Sequence, residues 1–301
     1  MKLDVRRAIG ITTAEQIATG LVEGHELLGE LRIHQDDFAA DPLLSMSPAG
    51  IAQCFADEIR AVAAGEKVDA VGIGLPGLIR QGFVEESPNL RQLKGAHFQE
   101  LVSEALRDSG IDVPVRVYND ADVIAAGLAA TRGHLDRIIR VWTLGNGIGF
   151  GIYPHREGVW EGGHLVVSLD PRERFCGCGG TGHLEGIMGE RAMRLRFMDM
   201  EPDEVFENAR RSDPRCIEFV RLWHRALAAA CANSIHLSGT GKFYISGFNA
   251  KHVDLNLLDQ NMQEMVKMST LQSYVFEVVP SSDQIGVIGA AVSALHSAFH
   301  R

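Results

Sequence analysis

Four side chains with soft or borderline donor atoms stand close together in the second half of the chain. They are His164, Cys176, Cys178 and His183, in the runs Glu161-Gly-Gly-His164 and Cys176-Gly-Cys178-Gly-Gly-Thr-Gly-His183-Leu-Glu185. Two thiols and two imidazoles match the tetrahedral preference of structural zinc, and the intervening glycines let the chain wrap tightly. The plainer alternative is two buried thiols and two surface histidines, because Cys-x-Cys is shorter than the spacing of common zinc fingers. A metal here would pin an irregular, glycine-rich stretch from Glu157 to Gly186, and with it Glu161 and Glu185.

Tyr118-Asn119-Asp120-Ala121 offers a different chemistry, since it puts a carboxylate and an amide between an expected buried strand and an expected helix. Asp120 could accept a proton from a substrate hydroxyl while Asn119 holds a neighbouring one. Helix N-capping is the bland reading of the same pair and is compatible with the first. Glycine turns follow three expected strands, at Gly74-Leu-Pro-Gly77, Gly145-Asn-Gly-Ile-Gly-Phe-Gly151 and Ser246-Gly247. Each would let backbone amides approach a ligand, but a glycine after a strand is more often simply a tight turn.

The elements that must position these residues follow from hydrophobic period and turn signals. Short strands are expected at 8–11, 17–22 and 26–33, then a helix over 49–64 opened by Ser47-Pro48. A buried strand at 70–73, a helix over 98–109, a strand at 115–118 and a helix from 121 to 131 complete the first half. The second half repeats the grammar, with a strand at 138–144, the glycine turn 145–151, and helices over 184–197, 204–209 and 213–238. A strand at 242–246 and an Ala-rich closing helix over 286–300 end it. Strands feeding glycine turns in both halves predict an α/β fold of two lobes. The predicted division is 1–118, closed by the helix 286–301, and 119–285, which carries the metal segment.

With 301 residues, 29 Lys plus Arg against 39 Asp plus Glu (net −10) and 46% hydrophobic residues, disorder and collagen are excluded. The acidic balance argues against nucleic acid as a partner, because such binding draws on Lys and Arg. No apolar run approaches the ~20 residues needed to cross a bilayer, and the start lacks the apolar core of a signal peptide. The expectation is a cytoplasmic protein without a membrane partner. Five cysteines, an odd number with two of them one residue apart, suit a metal in a reducing compartment better than a disulfide framework. Cys54, Cys216 and Cys231 fall in apolar helical patterns and read as buried small hydrophobes.

Together these stretches resemble the ROK family of bacterial sugar kinases and sugar-responsive repressors, which share the two-lobed actin-like ATPase (ribonuclease H-like) fold with a cleft between lobes. Gly72-Ile-Gly-Leu-Pro-Gly77 is similar to the sugar-side loop, Ser87-Pro-Asn-Leu90 to its following turn, and Asn119-Asp120-Ala121 to the catalytic-base motif. Gly145 to Gly151 is similar to the second phosphate loop, Glu161-x-x-His164 to the sugar-binding pair, and Cys176-x-Cys-Gly-x-x-Gly-His183-x-Glu185 to the zinc signature. Ser246-Gly247 and Gly286 to Ala291 fall where the family has its adenosine-side turn and closing helix. The resemblance implies that Asp120 is the general base and that Gly77, Asn119, Asp120, Glu161, His164 and Glu185 hold the sugar. It implies a nucleotide against Gly145, Asn146, Gly147, Gly149 and Gly247, and structural zinc on His164, Cys176, Cys178 and His183, with ATP and Mg²⁺ as reaction partners. Homodimerisation is a further family expectation.

Four departures bear on activity. Where the family places Asp-x-Gly-Gly-Thr after the first strand, this chain reads Thr12-Thr13-Ala14-Glu15-Gln16. That change removes a carboxylate for Mg²⁺ and the glycines that face a γ-phosphate, so it opposes phosphoryl transfer. The stretch from Gly151 to Glu161 is shorter than the family's. Asn146 and Phe150 replace a hydroxyl residue and a glycine, and His183 replaces a zinc cysteine, a change the metal is expected to survive. The expected function is therefore a glucokinase-like transfer from ATP to a hexose hydroxyl. The alternative is a catalytically impaired sugar-binding sensor or scaffold. A DNA-binding repressor ranks low, because the family's repressors carry an added helix-turn-helix and this chain starts within seven residues of its first strand.

Overall fold

The computed structural model describes residues 6–13, 16–34, 42–87, 90–155 and 161–299. The chain divides into two compact units. The first comprises Met1–Ile139, Gly151–Trp160 and Ser282–Arg301, and the second Arg140–Phe150 and Glu161–Ser281. The helix that begins at Asp120 thus groups with the first unit, whereas the sequence pattern put the division just before Asn119.

The first unit opens with the antiparallel meander β1 (Arg7–Thr12), β2 (Ala18–Glu23) and β3 (Glu26–Ile33). It continues through α1 (Pro48–Ala63), β4 (Ala70–Leu75), the hairpin β5 (Leu78–Arg80) and β6 (Phe83–Glu86), α2 (Phe98–Asp108), β7 (Val115–Asn119) and α3 (Asp120–Thr131). Among the described residues, five strands form one sheet in the order β3-β2-β1-β4-β7, with β1, β4 and β7 parallel. Ser47 starts α1 by accepting the Gly50 amide at 3.2 Å, with Pro48 in the first turn. The buried stripe of α1 meets that of α2 through Phe55 and Phe98, edge to face with ring centroids 5.5 Å apart.

The second unit takes in β8 (Ile139–Leu144) from Arg140 onward, the first half of β9 (Ile148–Tyr153), and α4 (Glu185–Met188), α5 (Glu190–Arg196), α6 (Pro202–Arg210) and α7 (Pro214–Ser238). β10 (Lys242–Ser246), α8 (Leu255–Met265) and β11 (Val275–Val278) complete it, and the strands run β11-β10-β8-β9. Asp213 caps α7 by accepting the Cys216 amide at 3.0 Å. Trp223, Leu227 and Cys231 of that helix are fully buried in one core with Trp142 and Phe243.

The chain then returns to the first unit as α9 (Asp283–Phe299). Gly10 of β1 and Gly72 of β4 lie opposite each other in the parallel register. A Cβ on Gly10 would collide with the carbonyl of Val287, and one on Gly72 with that of Ala290. This pair of bare positions lets the small-residue helix lie directly on the sheet.

Two expectations are corrected, and two elements had no counterpart among them. The glycine turn is only residues 145–147, because Gly149, Phe150 and Gly151 belong to β9. The helix over 184–197 is broken at Gly189, which has an extended backbone between α4 and α5. α8 and β11 were not anticipated: β11 is four residues long, with Val275 and Val278 exposed, so it lacks the alternating pattern that marks a half-buried strand. No disulfide joins the five cysteines; Cys216 and Cys231 are buried as the apolar patterns predict, whereas Cys54 is only half-buried.

Candidate functional site

In the first unit the strand-to-helix corner of β7 and α3 is built around Asn119. Its Oδ1 accepts the Ala121 amide at 2.9 Å and its Nδ2 donates to the Gly77 carbonyl at 2.9 Å. The capping role is therefore real, and it brings Gly77 and Asn119 together. One N–H of the Asn119 amide is left over for a ligand by donor arithmetic. Asp120 is the first residue of α3, half-buried, with one carboxylate oxygen 2.9 Å from the same Ala121 amide. Its carboxylate lies at the N-terminal end of the helix, where a general base could meet a hydroxyl. Ser87 ties the neighbouring loop down, donating to the Pro76 carbonyl at 2.8 Å and accepting the Leu90 amide at 3.3 Å. Pro88 and Asn89 of that turn lie outside the described residues.

The turn after β1 uses its polar groups internally. Thr12 is buried, Thr13 Oγ1 donates to the Gly74 carbonyl at 3.2 Å, and Gln16 Nε2 donates to Asp283 at 2.8 Å. None of these three side chains is a carboxylate for Mg²⁺. Ala14 and Glu15 lie outside the described residues, as do residues 156–160 of the shortened stretch.

Sequence reasoning passed over Asp122, which turns inward from α3. One of its oxygens accepts the Ile152 amide at 3.0 Å and the other lies 3.6 Å from His155 Nδ1. Burial pushes its carboxyl up to about 7, with the Ile152 hydrogen bond opposing and the charge of Asp120 adding. The sequence signal was an acidic residue on an otherwise apolar helix, Ala121 to Ala130.

In the second unit the four donors converge. One ligand atom from each of His164, Cys176, Cys178 and His183 can be chosen so that all lie within 4.8 Å of one another. The two Sγ atoms are 3.4 Å apart, and Cys178 Sγ is 3.2 Å from His183 Nδ1. Burial pushes the Cys176 thiol up to about 12, and burial together with His164 lowers His183. A bound divalent cation would supply the charge that lets both sulfurs ionise, so the donor set fits zinc in type, number and proximity. Backbone bonds shape the segment: Val167 and Leu184 donate to Gly182 and Leu165 at 2.8 and 2.9 Å, closing an antiparallel bridge between Val166 and His183.

The two glutamates flank this cluster. Glu161 lies 3.6 Å from His164 Nδ1, and partial burial raises its carboxyl, with His164 opposing and Glu185 adding. Glu185 Oε1 is 3.6 Å from Cys176 Sγ and 4.0 Å from His164 Nε2, while Oε2 accepts the Ile148 amide at 3.1 Å. That carboxylate reaches the glycine loop itself, since a Cβ on Gly147 would stand 2.6 Å from Oε2. Gly145 and Gly247 are also brought together: a Cβ on Gly145 would meet the Phe248 ring at 3.2 Å, and Asn249 Nδ2 lies 3.5 Å from the Gly145 carbonyl. Asn146 is exposed at the tip, and Gly149 is drawn away into β9.

No helix among the described residues is long and apolar enough to cross a membrane. The model of the ROK family matches residues 48–297. A glucokinase from Pyrobaculum calidifontis is 31% identical over 190 residues, 58% of this chain and 61% of that protein, so the chain matches less than two thirds of this relative. The crystal structure of a ROK hexokinase from Thermus thermophilus superposes with a TM-score of 0.78 at 21% identity, covering 98% of this chain and 100% of the other. A ROK family glucokinase from Streptomyces griseus, in complex with glucose and AMPPNP, gives a TM-score of 0.67 at 22% identity, covering 96% and 99%.

Proposed function

We propose, from the premise that this chain belongs to the ROK family and has its actin-like sugar-kinase fold, that it binds a hexose and transfers a phosphoryl group to one of its hydroxyls from ATP. The observation that carries this reading is the corner of β7 and α3. There Asn119 is pinned by Gly77 and Ala121, and Asp120 is left half-buried at the positive end of a helix. In this reading Asp120 takes the proton of the attacking hydroxyl as its oxygen bonds to the γ-phosphorus and the bond from that phosphorus to the bridging oxygen of ADP breaks, and Asn119 orients a neighbouring hydroxyl through its remaining N–H. Glu161, His164 and Glu185 hold further hydroxyls. Zinc on His164, Cys176, Cys178 and His183 would fix the ring and backbone positions from which they do so. Gly145, Gly147 and Gly247 are the proposed nucleotide contacts. Cytoplasmic residence and a homodimer belong to the same reading, the first supported by five cysteines without a disulfide and the second by family membership alone.

One observation favours a second reading, a sugar-binding protein with weak or no turnover. The turn after β1 spends Thr13 and Gln16 on Gly74 and Asp283, and Thr12, Thr13 and Gln16 bring no carboxylate to a metal-bound triphosphate. Thermal-shift titrations with hexoses and with Mg²⁺·ATP separate the two. Stabilisation by both, with ADP release falling about 10²- to 10⁴-fold in Asp120→Asn, supports the kinase. Stabilisation by sugar alone supports the binder, and stabilisation by neither contradicts both.

A further inference from the structure

Besides its own donors, the metal segment is held by the guanidinium of Arg196. Arg196, at the end of α5, forks onto Glu173: Nη1 is 3.1 Å from Oε1, and Nη2 bonds Oε2. Nη2 also lies 3.4 Å from the Gly186 carbonyl, and the guanidinium carbon stacks 4.3 Å from the Phe175 ring centroid and 5.5 Å from that of Phe219. It thus touches Glu173 and Phe175, just ahead of Cys176, and Gly186, just after Glu185. Glu173 extends the reach, because its carbonyl accepts the Gly182 amide at 2.7 Å, next to His183. Both side chains are largely shielded, at 18% and 11% exposure, so the fork is not an ordinary surface ion pair diluted by water.

We propose that Arg196, with Glu173 as its partner, is a positioning residue for the metal: it draws the two ends of the Cys176–His183 run together and aligns the donors before an ion arrives. This rests on the metal-binding reading of the same segment. A glycine-rich loop without such a brace must be ordered by the ion itself, and the ordering entropy is subtracted from its affinity. With the brace, the loop is ordered at the folding step. The guanidinium suits the task because its planar fork meets both carboxylate oxygens while its flat face lies on Phe175, which an ammonium cannot do.

The test measures zinc affinity by chelator competition on the full-length chain for wild type, Arg196→Met, Arg196→Lys and Glu173→Gln, with the reaction rate of Cys176 and Cys178 in the zinc-free proteins as a second readout. The expected result is about one zinc per wild-type chain and an affinity about 10-fold or more weaker in each variant, the range typical of residues that orient metal ligands. Arg196→Lys fails to restore it, and the zinc-free thiols react faster. Variants that melt lower yet bind zinc as tightly as wild type would overturn the inference and leave the metal reading standing. A folded wild type that takes up no zinc overturns both. Should Arg196→Met not fold, Glu173→Gln decides, since it keeps the size of the side chain and removes only its charge.

Discussion

At the β7–α3 corner of the first unit, polar side chains are set by backbone lying on backbone, whereas residues 161–188 of the second unit set theirs by cross-links between side chains. The corner rests on α3, which packs against α9, and α9 rests on the paired bare positions Gly10 and Gly72. Around Glu161 and Glu185 stand instead four converging sulfur and nitrogen donors, the Arg196–Glu173 fork and short backbone bonds. A close-packed frame cannot be loosened without changing a backbone contact. A loop held by side chains can be loosened by removing one of them or, under the zinc proposal, the ion, so the two regions should respond to different perturbations.

The largest expected effect is on the frame. Gly72→Ala forces a methyl against the Ala290 carbonyl, and because backbone cannot step aside as a side chain can, the loss should reach about 3 kcal/mol or more in denaturant unfolding. An unchanged midpoint would mean that α9 does not sit on β4 as described. Zinc removal comes next. At zinc 100-fold above its dissociation constant the linked stabilisation is about 2.7 kcal/mol, and chelation should withdraw it. Hydrogen exchange sharpens the comparison: amides of Val167, Gly182 and Leu184 should lose protection on chelation while those of Ala121 and Ile152 keep theirs. Equal loss in both sets would erase the distinction drawn between the regions.

A further effect, electrostatic and spread over several pH units, belongs to the corner. Asp122 titrates near 7 in the folded chain against about 3.9 unfolded, so the folded state binds the extra proton between those values. Stability should therefore fall as pH rises from about 4 to about 7, with a slope from this group of at most about 1.4 kcal/mol per pH unit. Asp122→Asn should flatten that slope, as read by urea unfolding across the range. A slope identical to wild type would place the titration elsewhere.

The two regions were also unequally legible in the sequence. The donors of the cross-linked segment announce themselves, because Cys and His at short spacing among glycines have few other uses, and all four predicted ligands converge. Asn119 and Asp120 were legible as a strand-to-helix junction, since a polar pair between two apolar runs must either cap or act. Gly77 joined them through a carbonyl, which residue types do not reveal. Asp122 was hidden because its partners, Ile152 and His155, are some thirty residues away. Arg196 was hidden because a basic residue at the end of a helix is ordinary until the fold brings Glu173 and Phe175 to it. The extent of the glycine loop was overread, because Gly149 and Gly151 mark close packing in β9: a Cβ at Gly151 would strike the Ala121 carbonyl.

Coupled ADP release with hexose and Mg²⁺·ATP, run on wild type and on Asp120→Asn at matched folded concentration, bears most directly on the proposed chemistry. Hexose-dependent turnover is expected in wild type and should nearly vanish in the variant, with hexose-induced stabilisation kept in both. Turnover undiminished by Asp120→Asn, or a wild-type chain that no hexose stabilises, would contradict that chemistry.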